Sequence, residues 1–139
     1  MICADNQRLR TLSHSCNDSF DDFILSTLSP YVSQVDEFCE LRLQNYNYLV
    51  NGLQAIGIKP YFHFEGGIVP GVFLFRWFED IDFPALKIFM NENGVESSVF
   101  YGDHAYFIPV HHRLTKAELD YMIALLEYFY FKIYRKQAL

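Results

Sequence analysis

The sequence predicts an α+β fold, a small antiparallel sheet with helices packed on one face. Turn and cap signals give the order helix, strand, strand, helix, strand, strand, helix, not the strict alternation of a parallel sheet. No Gly-rich phosphate loop follows a strand. Of the 139 residues, 51% are hydrophobic and 18% aromatic, which suits one domain with a sizeable core.

The first 28 residues are mixed. Asn6 to Leu12 suits a short helix, and Asn17-Asp18-Ser19-Phe20-Asp21-Asp22 is polar and turn-prone. Asp21 and Asp22 either open a helix, where carboxylates favour the first turn, or lie in a loop. Ser29-Pro30 reads as a helix start, with serine as cap and proline in the first helical position. Val35, Cys39, Leu43, Tyr46, Val50 and Leu53 then recur every three or four residues, which marks one face of a long helix. Gly57 suits the left-handed stop after it.

Tyr61-Phe62-His63-Phe64 reads as a short strand, and Gly66-Gly67 with Pro70-Gly71 frames a turn. Val72 to Phe78 is almost continuously apolar, as expected of a mid-sheet strand covered on both faces. Asp82 before Phe83-Pro84 caps the next helix, and Asn93-Gly94 ends it. Two strands, Val95 to Tyr101 and Tyr106 to Val110, flank Gly102-Asp103. Thr115 and Glu118 then form a capping box, with Leu114 and Leu119 as its hydrophobic staple. Leu119, Met122, Ile123, Leu126, Phe129, Tyr130 and Ile133 form one apolar face of the last helix. Tyr121, Leu125, Tyr128 and Phe131 lie elsewhere on it, which points to burial on more than one side and to a partner surface.

The formal net charge of −6 argues against sequence-independent nucleic-acid binding. Arg8 with Arg10, and Lys132, Arg135 and Lys136 in the tail, are the notable basic groups; the tail cations favour a helix C-terminus. Cys3, Cys16 and Cys39 make neither a disulfide framework nor a zinc ribbon. With no apolar signal core and no membrane-length apolar run, a soluble cytoplasmic protein is expected.

From Leu86 onward the chain resembles the C-terminal domain of the DegT/DnrJ/StrS-type aminotransferases, which use pyridoxal phosphate (PLP). Gly94-Val95-Glu96 matches the family's G-I/V-E step. Pro109-Val110-His111-His112-Arg113-Leu114-Thr115 matches P-x-H-x-x-L-T/S, and Glu118-Leu119-Asp120-Tyr121-Met122 matches E-L/V-D-Y-I. Val35-Asp36-Glu37-Phe38, with Arg42 and Asn45, resembles the family's long-helix pattern L-D-E-F-x-x-x-R-x-x-N. Met1-Ile2-Cys3-Ala4-Asp5-Asn6 resembles the strand, and Arg8 to Leu12 the helix, that follow the family's Schiff-base lysine.

The resemblance implies the small domain of the aspartate-aminotransferase-like, fold type I enzymes over residues 29–139. Residues 1–28 would be a remnant of the large PLP-binding domain. The implied parent reaction is amino transfer to a keto-sugar nucleotide in lipopolysaccharide, capsule or antibiotic-sugar biosynthesis, with PLP as cofactor. On this reading the chain begins just after the lysine's place. None of Lys59, Lys87, Lys116, Lys132 and Lys136 stands in the matching context. A truncated or split member, inactive alone, is therefore expected. The alternative is a non-catalytic module that forms a homodimer or completes a partner chain. A third reading is a gene fragment with no separate role.

The resemblance assigns one cofactor-facing residue, Asn17, matched to the family's N-x-R-M-x-E asparagine that reaches the cofactor phosphate across a dimer. Here Ser19 replaces the arginine, and the segment before Asn17 is nearly absent. A turn or capping role is the other reading of Asn17. His63, His104, His111 and His112 lack the companions of a metal site, and adjacent histidines in a strand face opposite sides. No catalytic residue and no metal ligand is assigned. Arg76 interrupts an apolar strand; it either pairs with Glu65, Glu79 or Asp80 or binds an acidic group. Glu79, Asp80 and Asp82 read as a solvated capping loop.

Overall fold

The computed structural model describes residues 18–64, 68–78 and 80–134. The chain divides into two compact units, Met1–Phe38 and Cys39–Leu139.

In the first unit, α1 (Asp18–Val32) contains Asp21 and Asp22 and carries Pro30 inside its last turn. The start expected at Ser29-Pro30 is therefore the end of a helix. Proline lacks the N–H that would bond the Ser26 carbonyl four residues back and crowds that carbonyl, so the last turn of α1 is weakened, and the helix ends two residues later at Val32. The chain restarts as α2 (Val35–Leu53), with Asp36 and Glu37 placing negative charge in its first turn. The boundary between the units falls inside α2.

The second unit continues α2 into a short turn, Gln54–Ile56, closed by Gly57 in the left-handed conformation at φ 78°. Then come β1 (Ile58–Pro60), β2 (Val72–Trp77), α3 (Phe83–Glu92), β3 (Ser98–Phe100), β4 (Ala105–Pro109) and α4 (Lys116–Tyr128). A π-helical stretch, Phe129–Tyr134, extends α4. The described sheet is fully antiparallel in the order β1-β2-β4-β3.

One core unites the elements of the second unit. Phe73, Phe75, Trp77, Tyr106 and Ile108 of the sheet are buried with Leu49 and Leu53 of α2, Leu86 and Met90 of α3, and Leu119 and Leu126 of α4. Trp77 stacks on Tyr130 at 5.4 Å and donates its indole N–H to the Ile56 carbonyl at 2.7 Å. Asp82 caps α3 by accepting from the Ala85 N–H, and both arms of the Thr115–Glu118 capping box are formed. No helix among the described residues is long and apolar enough to cross a membrane.

Five further expectations are corrected. The first strand lies at Ile58–Pro60, ahead of Tyr61–Phe64, because an edge strand tolerates Pro60 where a central one would not. Strand β2 is covered on one face only: Phe73, Phe75 and Trp77 are buried, whereas Val72 and Arg76 are exposed. The third strand shortens to Ser98–Phe100, since the Val95 N–H is held by the Met90 carbonyl at the end of α3. On α2 the buried stripe is Tyr46, Leu49 and Leu53, while Val35 and Leu43 are exposed. Leu125, expected off the main face of the last helix, joins the core; Tyr121, Tyr128 and Phe131 stay about half exposed.

Candidate functional site

The period of two along a strand puts the charged groups of the sheet on the face away from the core. Lys59 of β1 stands directly opposite Arg76 of β2, and both are exposed. Tyr61 follows Lys59 by two residues, and its N–H still donates to the Leu74 carbonyl at 2.9 Å, so it remains on the ladder. At the neighbouring turn between β3 and β4, Asp103 comes to the same end of β2. Its carboxylate accepts from Arg76 Nη2 at 2.8 Å and from the Tyr61 hydroxyl. The Arg76 guanidinium also lies over the Tyr61 ring, 4.2 Å from its centroid.

These contacts set the local electrostatics. The Tyr61 hydroxyl and then the Arg76 guanidinium hold the Asp103 carboxyl below the usual carboxylate range. The bond to Asp103 in turn raises Arg76 above its ordinary value. Arg76 is thus exposed and paired with Asp103, not buried. Asp80 reaches His104 instead, at 3.4 Å, and Glu65 and Glu79 lie outside the described residues. Sequence order hid Asp103, 27 positions away. Register brings it in, because Phe75 opposes Tyr106 and β4 therefore begins beside Arg76.

Two cavities flank this cluster. One, of about 350 Å³, is lined by Lys59, Tyr61, Arg76 and Phe78 together with Gly57 and Trp77. The other, of about 430 Å³, lies between the start of α3 and the β3–β4 turn and includes Asp80, Phe83, Tyr101, Asp103 and His104. The His104 ring packs 4.6 Å from that of Phe83.

The motif residues of the long helix and the final helix act as fasteners. Asn45 Nδ2 donates to the carbonyls of His111 (2.9 Å) and Leu114 (3.2 Å), holding the segment before α4 against α2. The Tyr48 hydroxyl donates to Asp120 at 2.6 Å, which ties α2 to α4 itself. Gly52 sits where a Cβ would collide with Ile123 Cδ1, so the helices approach closely there. His111 accepts the Arg113 N–H at Nδ1. Burial, then the Arg113 charge, lowers its pKa, consistent with a neutral ring.

His63 is exposed after β1, and His112 lies in the turn before α4. No group of three or more His, Cys, Asp or Glu among the described residues is placed to hold a metal ion. Asn17 lies outside the described residues. A PLP site needs a lysine enclosed against the cofactor. Lys59 lies over the Phe78 ring at 4.4 Å, and Lys116 over the Tyr48 ring at 5.9 Å. Lys87 is a half-buried residue of α3, and Lys132 is exposed on the π-helical extension. The described residues therefore do not fit PLP by themselves.

No protein-family model matches the chain, and no curated protein matches it. Solved structures do match. A DegT DnrJ EryC1 StrS aminotransferase from Brucella abortus is 14% identical, with a TM-score of 0.62 over 76% of this chain and 34% of that one. An apo-form protein from Streptococcus pneumoniae assigned as a sugar aminotransferase is 14% identical, with a TM-score of 0.66 over 78% and 34%. The aminotransferase TlmJ from Streptoalloteichus hindustanus is 15% identical, with a TM-score of 0.58 over 70% and 33%. The chain spans about a third of the length of each of these proteins. It shares the fold of that third: a small α+β domain with a four-stranded antiparallel sheet.

Proposed function

We propose that this chain supplies the C-terminal small domain of a PLP-dependent sugar aminotransferase-like protein and does not transfer amino groups by itself. The parent reaction on this reading is amino transfer to a keto-sugar nucleotide. The fold match to three aminotransferases, over 70% or more of the chain, carries the reading. The ordered motif residues support it, because Asn45, Thr115, Glu118 and Asp120 hold the elements of that fold together. The inactivity rests on the lysines, since none of the four described is enclosed as a Schiff base requires.

Incubating the purified chain with PLP, reducing with borohydride and mapping peptides by mass tests this. The expected result is no site-specific lysine adduct; a single stoichiometrically trapped lysine would overturn it. A second reading, a dimerising or partner-completing module, is favoured by the exposed aromatics Tyr121, Tyr128 and Phe131 along the last helix. Light scattering decides it: a dimer or larger species supports the module, and a monomer at high concentration removes self-association.

A further inference from the structure

The cavity beside β1 and β2 has a feature that the aminotransferase reading does not use. Lys59 and Arg76 are a directly opposed cross-strand pair of like charge. Such a pairing is unfavourable by itself. Asp103 and Tyr61 offset it on the Arg76 side only. Among the described residues no carboxylate is in ion-pair reach of Lys59, whose ammonium is held only over the Phe78 ring. Both cations line the same cavity, of about 350 Å³, between the aromatic walls of Tyr61 and Phe78. Each lies over a ring face, and for Lys59 that contact orders the cation without neutralising it.

We infer that this cavity is a binding site for a phosphate group, held between the Lys59 ammonium and the Arg76 guanidinium. A guanidinium offers five N–H donors, and Asp103 takes one of them at 2.8 Å. Donors therefore remain for a second oxyanion. A monocarboxylate matches only one of the two cations. A phosphate is close to doubly charged at neutral pH and presents three acceptor oxygens, enough for a planar fork and a point charge at once. The aromatic walls suit an organic phosphate monoester, whose carbon skeleton would lie against Tyr61 and Phe78. This inference is independent of the amino-transfer reading.

The test is an amide-resolved NMR titration of the full chain with inorganic phosphate, phenyl phosphate and acetate, each against chloride at matched ionic strength. Saturable shifts are expected at residues 57–59, 61 and 76–78 with both phosphates and not with acetate. Tighter binding of phenyl phosphate assigns a monoester, and equal binding assigns the free ion. Lys59→Gln should weaken phosphate binding about tenfold, and Lys59→Arg should retain it within about threefold. Neither variant should lower the melting temperature, because Lys59 is exposed and Lys59→Gln relieves the like-charge pairing. Absence of saturation by ~50 mM phosphate, equal binding of acetate, or unchanged binding by Lys59→Gln would each overturn the assignment.

Discussion

The two faces of strand β2 are built from alternate residues of one six-residue segment, yet they follow different physics. Inward, Phe73 and Phe75 have no exposed surface and Trp77 has almost none. Their rings meet one another and Tyr106 at centroid distances of 5.2–6.3 Å. Outward, Arg76 forms an exposed, charge-assisted cluster with Asp103 and Tyr61. The inner face makes the domain fold, because apolar area removed from water is the main stabilising contribution. The outer face contributes little to stability, since solvent screens its charges. It is therefore free to be specified by recognition.

Substitutions on the two faces should separate these roles. The largest effect is expected at Phe75, where truncation to alanine leaves a cavity under the centre of the sheet. Phe75→Ala should cost about 3–5 kcal/mol in chemical denaturation. A smaller loss should follow Tyr106→Phe. The Tyr106 hydroxyl lies 2.5 Å from Ser97 Oγ inside the core, and removing it should cost about 1 kcal/mol. The same phenol gives a pH signature. Burial raises its pKa from 10.0 to about 12, so its protonated form is favoured in the folded state. Its contribution is complete below pH 10 and is lost as pH rises towards 12; Tyr106→Phe should flatten that part of the alkaline stability profile.

Thr115→Ala removes one arm of the capping box and should cost about 1 kcal/mol, seen as a lower thermal midpoint. The smallest change is expected on the outer face. Asp103→Asn should leave the denaturation midpoint at neutral pH close to wild type. Its depressed carboxyl stabilises the fold above the ordinary aspartate pKa, and that contribution fades as pH falls through the native value. Asp103→Asn should therefore reduce the slope of the acid limb. A large loss of stability at neutral pH would mean that the outer face also holds the fold together.

Local signals made most of the fold legible. The caps at Asp82 and Thr115 and the glycine stops at Gly57 and Gly94 read correctly because each is decided within a few residues. The errors arose where distant packing decides. Whether Val72 and Leu74 are covered depends on which side the helices take, and no period in β2 states that. Pro30 carries opposite meanings at a helix start and in a helix's last turn, and the two look alike locally. The candidate site was half visible: Arg76 stood out as a charge in an apolar run, but its partner depended on strand register. Asn45 and Asp120 appeared as motif letters, and only the folded chain shows them as ties between helices and loop.

The sheet ends in β1 and β3, each only three residues long, and β1 contains Pro60. A strand that short gives a neighbouring molecule little backbone to pair with, and in β1 Pro60 removes one donor as well. Growth from chain to chain into a continuous filament is thus disfavoured at both ends of the described sheet. An assembly formed by these residues would then be held by side chains and not by sheet extension. It should dissolve on polar replacement of Tyr128 and Phe131, and it should show no thioflavin-positive fibres on prolonged incubation.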